Sequence, residues 1–435
     1  MEFVFRFFNK MLEEIFNLYL KAAIFVLEFS WIWLPVFFAF LFFESWMYYI
    51  QRHHWKSLDW IILEVKPPRE MELTPKNMEQ VFAGLWGAWG TISTKWEKYF
   101  KGVLQDYFSF ELVGMNGEVH FYLRTLKKFR DMVEAQVYAQ YPRAEIKEVD
   151  DYVYKIPADI PNKNWNLWGC KLKLPREDYY PIRTYPHFMD LSKADETFLD
   201  SMAAFTEALG KLRPGEQVWI QLLFRPKQDS WQKDARKLAD KLMGKKTPKA
   251  AEGLLTFEGR TWFEAVEDVT SQLLTDKLPE RAQQQKDEGP PSLMMFLSPN
   301  EKEVIQEVEE KAAKKGYDAK IQWAYFGRKD IFTMANVSAF MGIFNQFSNL
   351  NMNSLVPDRI SMTKAAYLFA KSRKVYKQRK LLRLLRQRSF WEKGYIFNIE
   401  ELATLYHFPT IGVRSPVAPY VEVVKGGAPV DLPIE

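Results

Sequence analysis

Thiol and imidazole groups are scarce in this chain: one cysteine, Cys170, and five histidines stand in 435 residues. A lone cysteine excludes an internal disulfide framework and any cysteine-rich zinc site, and it fits a reducing compartment. The histidines, His53, His54, His120, His187 and His407, contain no pair at the spacing of a zincin helix or a zinc finger. A phosphate-binding loop is missing too. Gly244-Lys245-Lys246-Thr247 has the ending of one, but Ala239 stands where its first glycine is required. Gly84, Gly87 and Gly90 recur every third residue with no strand leading into them, so helix packing or helix termination is their expected role. No nucleophile-elbow pattern supports a serine–histidine–acid set. With no catalytic residue, metal ligand or cofactor to assign, the expectation is a protein that is not an enzyme.

An excess of charge of one sign is also lacking. The formal net charge is +5 and charged residues make up 26%, an ordinary globular value that says little about partners.

Apolar and aromatic residues, by contrast, are concentrated near the start. Residues 22–43, AAIFVLEFSWIWLPVFFAFLFF, are apolar except for Glu28 and Ser30. At about 1.5 Å per helical residue such a run crosses a hydrocarbon core of roughly 30 Å. Trp46, Tyr48, Tyr49 and Trp55 follow, where an interfacial aromatic belt belongs. The expectation is a single membrane-spanning helix from Leu18 to Ile50, kinked at Pro35. The run is too long and starts too late for a cleaved signal peptide, and no small-x-small site follows it. Glu28 is either neutral or snorkelling, or it marks a helix–helix contact in an oligomer. Arg6, Lys10 and Lys21 before the span against Arg52, Lys56, Lys66 and Arg69 after it lean toward a cytoplasmic C-terminal part of an inner-membrane protein. Residues 1–20 have the character of an amphipathic segment on the membrane surface.

Beyond the anchor, strand and helix patterns alternate. WIILEV (60–65) is a short strand, and Thr74-Pro75 caps a helix carrying Met78, Val81, Phe82, Leu85, Trp86 and Trp89. A hairpin turning at Asn116-Gly117, a helix from Thr125 and the strand AEIKEV (144–149) complete the order βαββαβ, a ferredoxin-like arrangement. The order recurs: strand 166–174, helix 194–209, strands 216–226 and 292–298, a helix opened by the capping box Ser298-Pro299-Asn300-Glu301, and a last strand at 319–327. A charged insertion, 227–291, lies within the second copy. The predicted fold class is therefore α+β. Its parts are an amphipathic segment and transmembrane helix (1–50), two ferredoxin-like modules (51–160 and 161–345), and a basic helical region with an extended C-terminal linker (346–435).

From Lys364 to Lys393 there are eleven Lys or Arg residues and one acid, Glu392. Lys371, Arg373, Lys374, Lys377, Arg379, Lys380, Arg383, Arg386 and Arg388 are the candidate contacts, with Leu381, Leu382, Leu384 and Leu385 among them. Such a run forms a solvated helical face, a surface for nucleic-acid phosphates, or one for anionic lipid headgroups. The sequence leaves the three open.

Four stretches, LVGMNGEVHFYLRTLKKFRDMVEAQVYAQYPRAEIKEVDDY (112–152), GEQVWIQLLFRP (215–226), MGIFNQFSNLNMNSL (341–355) and above all IEELATLYHFP (399–409), carry a family resemblance. The chain after the anchor resembles the N-terminal, non-ATPase region of type IV secretion conjugative-transfer ATPases, of the VirB4/TraC, HerA-like or coupling-protein type. In that family a Pro-rich linker, which VVKGGAPVDLPIE (423–435) resembles, leads into a RecA-like motor with Walker A and B motifs. Neither motif is in these residues, so hydrolysis is not carried over. The resemblance implies a membrane-anchored adaptor of a DNA- or protein-transfer machine that docks a separate ATPase through 395–435. Glu401, Leu402, Leu405, Tyr406, His407, Phe408 and Pro409 are the expected docking residues. The alternative is a membrane-tethered DNA-binding protein acting through the basic helix 364–393.

Overall fold

A computed structural model describes residues 20–21, 28–67, 74–90, 94–190, 197–198, 200–244, 297–390 and 392–409. They fall into two units, Met1–Trp60 with Trp89–Asp106, and Ile61–Ala88 with Tyr107–Glu435.

In the first unit the later part of the apolar run forms helix α1 (Ser30–Lys56), with Pro35 inside it. Trp31, Phe37, Phe38, Phe42 and Tyr49 are exposed along it. A short π-helical turn, Glu97–Lys101, lies against its C-terminal half, where Trp46 Nε1 donates to the Tyr99 carbonyl at 3.0 Å. Gly102 ends that turn at φ +65°, and a Cβ there would lie 2.5 Å from the Ile50 carbonyl carbon, so only glycine fits. Among the described residues no helix is long and apolar enough to cross a membrane. Glu44, Arg52, His53, His54 and Lys56 make the second half of α1 polar. Residues 1–19 and 22–27, which hold most of the amphipathic segment and the start of the expected span, lie outside the described residues.

The second unit is α+β and is organised by a single antiparallel sheet. Its elements begin with β1 (Trp60–Lys66), α2 (Pro75–Leu85), β2 (Phe108–Met115), β3 (Glu118–Leu126), α3 (Arg130–Gln140) and β4 (Glu145–Glu148). They continue with β5 (Trp165–Lys173), the two-stranded ribbon β6 (Met189–Asp190) and β7 (Thr197–Phe198), α4 (Ala203–Gly210), and β8 (Glu216–Pro226). After α5 (Ser230–Leu242) and α6 (Pro299–Ala313) come β9 (Gly316–Arg328), α7 (Met334–Phe344), β10 (Val356–Pro357), α8 (Ala370–Gln387), β11 (Tyr395–Asn398) and α9 (Ile399–Leu405). The nine-stranded sheet runs β10-β5-β9-β8-β2-β3-β1-β4, and β11 pairs with the start of β9. The seam is β2 against β8, in register from Phe108↔Phe224 to Met115↔Gln217. Outward from it the order is β2, β3, β1, β4 on one side and β8, β9, β5, β10 on the other. On both sides the chain lays its second strand at the seam, its third beside that, its first next and its fourth at the edge.

The expected hairpin, the N-cap at Thr74 with Pro75 after it, and the capping box at 298–301 are present. The second group of strands is arranged differently from the expectation. Residues 319–327 lie inside β9, which pairs with β8 over Glu216↔Gly327 to Pro226↔Tyr317 and with β5 on its other side. The helix and strand that follow it are α7 and β10, and β10, only two residues long, leaves no strand signal in the sequence. Of the expected strand 292–298, residues 292–296 lie outside the described residues, as does 245–291 of the insertion, whose first part holds α5.

Strand alternation sends the two sets of side chains to two separate cores. One face sets Phe110, Leu112, Val218, Ile220, Ile321 and Trp323 against apolar stripes of α2, α3, α4, α7 and α9. The other sets Val113, Trp219, Ala324 and Phe326 against Leu381, Leu382 and Leu385 of α8 and the segment around Tyr152. Coverage on both faces explains why β2 is buried at every position, with no polar-out alternation.

Candidate functional site

Helix α8 is where the sheet meets the basic run. Gln378, Leu381, Leu382 and Leu385, at i, i+3, i+4 and i+7, form its buried stripe. Gln378 Nε2 donates to the Leu167 carbonyl at 2.7 Å, and Leu381 comes so close to β5 that a Cβ on Gly169 would lie 2.8 Å from Leu381 Cδ2. The helix ends at Arg388 in the left-handed region, φ 46°.

Beneath it a polar row crosses five strands. Tyr122, Glu111, Gln221, Gln322 and Lys171 are successive register partners on β3, β2, β8, β9 and β5. Arg388, fully buried, gives Nε and Nη2 to the two Glu111 oxygens at 3.0 and 2.9 Å. It also grips Asp151 through Nη1 at 2.5 Å and Nη2 at 2.9 Å. Tyr152 Oη and Ser109 Oγ donate to Glu111 as well, Gln221 Nε2 donates to Tyr152, and Gln322 Nε2 donates to Gln221. Burial works against the Arg388 charge, but the Glu111 carboxylate and Asp151 outweigh it and hold the guanidinium charged. The Tyr152 phenol is pushed well up by burial and then by Glu111. The network locks the end of α8 onto the centre of the sheet.

Arg388 is therefore a structural residue, a correction to the sequence reading: a guanidinium sealed between two carboxylates cannot meet a ligand. Lys377 and Arg386 are half-buried and bound to backbone, Lys377 to the Arg359 and Lys364 carbonyls and Arg386 to the Ile156 carbonyl at 2.6 Å. Lys371, Arg373, Lys374, Arg379, Lys380 and Arg383 are exposed. Beside them, between α8 and β5, opens a cleft of about 210 Å³ lined by Lys171, Lys377, Lys380, Asp358, Ser361 and Glu392. Lys171 and Glu392 pair across it.

The expected docking residues have gone inward. Asn398 and Glu401 cap α9 reciprocally, at 2.8 and 2.9 Å, and Glu401 also accepts from Ile182 N and from Lys311, whose ammonium is fully enclosed. Burial pushes the Glu401 carboxyl up and the Lys311 ammonium down. Leu402, Tyr406, His407, Phe408 and Pro409 are buried and Leu405 half-buried. Tyr406 packs on Phe110 and Phe408 on Tyr141, with centroids 5.2 and 4.8 Å apart, and His407 Nε2 lies 2.9 Å from Asp200. These side chains stay in the core because they complete the helix-covered face of the sheet, so they do not form a docking surface. Residues 410–435 lie outside the described residues.

Sequence reasoning missed Glu111, Gln221 and Gln322. The signal was there: each is the one polar residue within an apolar strand core, FELV, WIQLL and IQWA. Cys170 is buried on the opposite face, and burial pushes its thiol up to about 12, which disarms it as a nucleophile. No group of three His, Cys, Asp or Glu suited to a metal occurs among the described residues.

Residues 53–418, from the end of α1 through the sheet, α8 and α9, match the model of a family described as a domain of unknown function, DUF8128. A search of curated proteins finds no match. The match spans both sides of the sheet and the basic helix, and the chain belongs to the DUF8128 family.

Proposed function

We propose that this chain is a non-catalytic platform, held at a membrane, of a type IV secretion-like machine that transfers DNA or protein. The observation that carries this reading is the location of the four stretches resembling transfer-ATPase N-terminal regions. Residues 112–152 run through β2, β3, α3 and β4; 215–226 is β8; 341–355 spans the end of α7 and its exit; 399–409 is α9 and its cap. All four are sheet or core, so what the chain has in common with those proteins is scaffold. The finer fold belongs to the same reading: the two sides of the sheet are two ferredoxin-like βαββαβ modules joined at β2 and β8, with the charged insertion between the second and third strands of the second.

A transfer ATPase docks on this platform through residues beyond the buried 399–409 segment, within 410–435. The apolar run at 22–43 holds it in the inner membrane with the sheet on the cytoplasmic side, a placement supported by the exposed aromatics of α1. The test is ATP hydrolysis by the purified full chain. Turnover equal to that of a heat-killed control is expected, and sustained turnover above it overturns the non-catalytic reading.

A further inference from the structure

We propose that the loop leading into α8 is a second membrane-contacting element, an apolar tip with a cationic collar that seats on an anionic bilayer. Tyr367, Leu368 and Phe369 are consecutive and 93%, 74% and 74% exposed. Tyr376, two turns further along the helix, and Ile360, seven residues before the tip in sequence, are exposed as well. Five large apolar side chains facing water in one stretch of chain are an interaction surface, since scattered single ones are the norm.

The tip is built. Tyr367 and Phe369 hold φ of 65° and 55°, a region bulky residues rarely enter. Arg373 donates to the Ala366 carbonyl and Lys377 to the Lys364 carbonyl, fastening the loop to α8. Upstream, Ser361 and Thr363 hydroxyls accept from Lys171 N and Gly169 N, which ties the loop base to the edge of β5. Residues 364–369 therefore project from a braced base.

Charge selects the partner. No acid occurs between Lys364 and Trp391, and Lys371, Arg373 and Lys374 follow the tip directly, exposed. Aromatic and aliphatic side chains enter the headgroup boundary while long cationic ones reach its phosphates. Nucleic acid fits the cations and aromatic faces, yet it offers nothing to Leu368 and Ile360, which neither stack nor hydrogen-bond. An anionic bilayer satisfies all of these groups. The proposal rests on the membrane placement above only for delivering the tip to lipid.

The experiment labels Leu368→Cys with an environment-sensitive fluorophore in the full chain. The native Cys170 is fully buried, so labelling is selective. A second label at Glu145→Cys, on the edge strand β4, is the control. Flotation of the chain with phosphatidylcholine vesicles reports the anchor alone, so loss of flotation strikes the membrane reading and not the tip. With phosphatidylglycerol added, emission from position 368 is expected to shift to the blue, with none from 145. The shift is expected to vanish in the K371E/R373E/K374E variant and to weaken in about 1 M salt, where the screening length is about 3 Å. No shift on anionic vesicles overturns the proposal, and so does an equal shift produced by a DNA oligonucleotide without vesicles.

Discussion

Arg388 and Glu111, 277 residues apart in sequence, meet as a fully buried bidentate pair, and through them the basic helix is locked to the sheet centre. Removing one partner leaves the other as an uncompensated buried charge, which costs about 3–5 kcal/mol. Arg388→Met is expected to destabilise by that amount in urea unfolding. The double variant Arg388→Met/Glu111→Gln is expected to recover a large part of the loss. Equal stability of Arg388→Met and the native chain contradicts the network.

The second buried pair gives a pH-dependent outcome. Lys311 spends its three protons on the Asp178 and Ile396 carbonyls and on Glu401. Lys311→Met strands Glu401, whose folded pKa burial already raises. A carboxyl raised on folding favours the native state below its unfolded value, about 4.3, and loses that contribution as pH rises through the folded value. The loss in Lys311→Met is therefore expected to be largest near neutral pH, about 3–5 kcal/mol, and to shrink on acidification. Unfolding midpoints against pH check it.

How much of this was legible depended on what kind of signal each residue left. The hairpin at Asn116-Gly117 and the caps at Thr74 and Ser298 are local, and they lie where the sequence places them. The leucine stripe of α8 was legible because its spacing is a property of one helix. Strand neighbours are not local: β9 has the same hydrophobic pattern whether it ends a module or lies between β5 and β8. Arg388 reads as one more cation in a run, since the carboxylate that captures it is far away in sequence. The apolar face of α9 was visible, but an apolar face looks the same whether it covers a partner or its own core, and here it covers its own.

Lys320 is held down to about 8, first by burial and then by repulsion from Lys171. A lysine depressed on folding costs stability below its folded pKa, and the cost is relieved as pH climbs toward the unfolded value near 10.4. Lys320→Met is expected to stabilise the chain by about 1–2 kcal/mol at neutral pH, discounting for the water that still reaches the group. It is also expected to flatten the rise in stability between about pH 8 and 10. Thermal scans across that window decide it.

The two faces of α8 are expected to behave as different kinds of surface. Leu385→Ala removes a fully buried side chain and should cost about 2–5 kcal/mol. Arg379→Glu with Arg383→Glu changes exposed positions and should stay within about 0.5 kcal/mol. Denaturant titration of both variants tests the division.

The platform role is tested most directly by mixing the detergent-solubilised full chain with the transfer ATPase encoded nearest its gene and measuring complex mass by size-exclusion chromatography with light scattering. A co-eluting complex that is lost when residues 410–435 are deleted, while the truncated chain keeps its unfolding midpoint, is the expected result. Separate elution of the intact chain and the ATPase contradicts the docking platform.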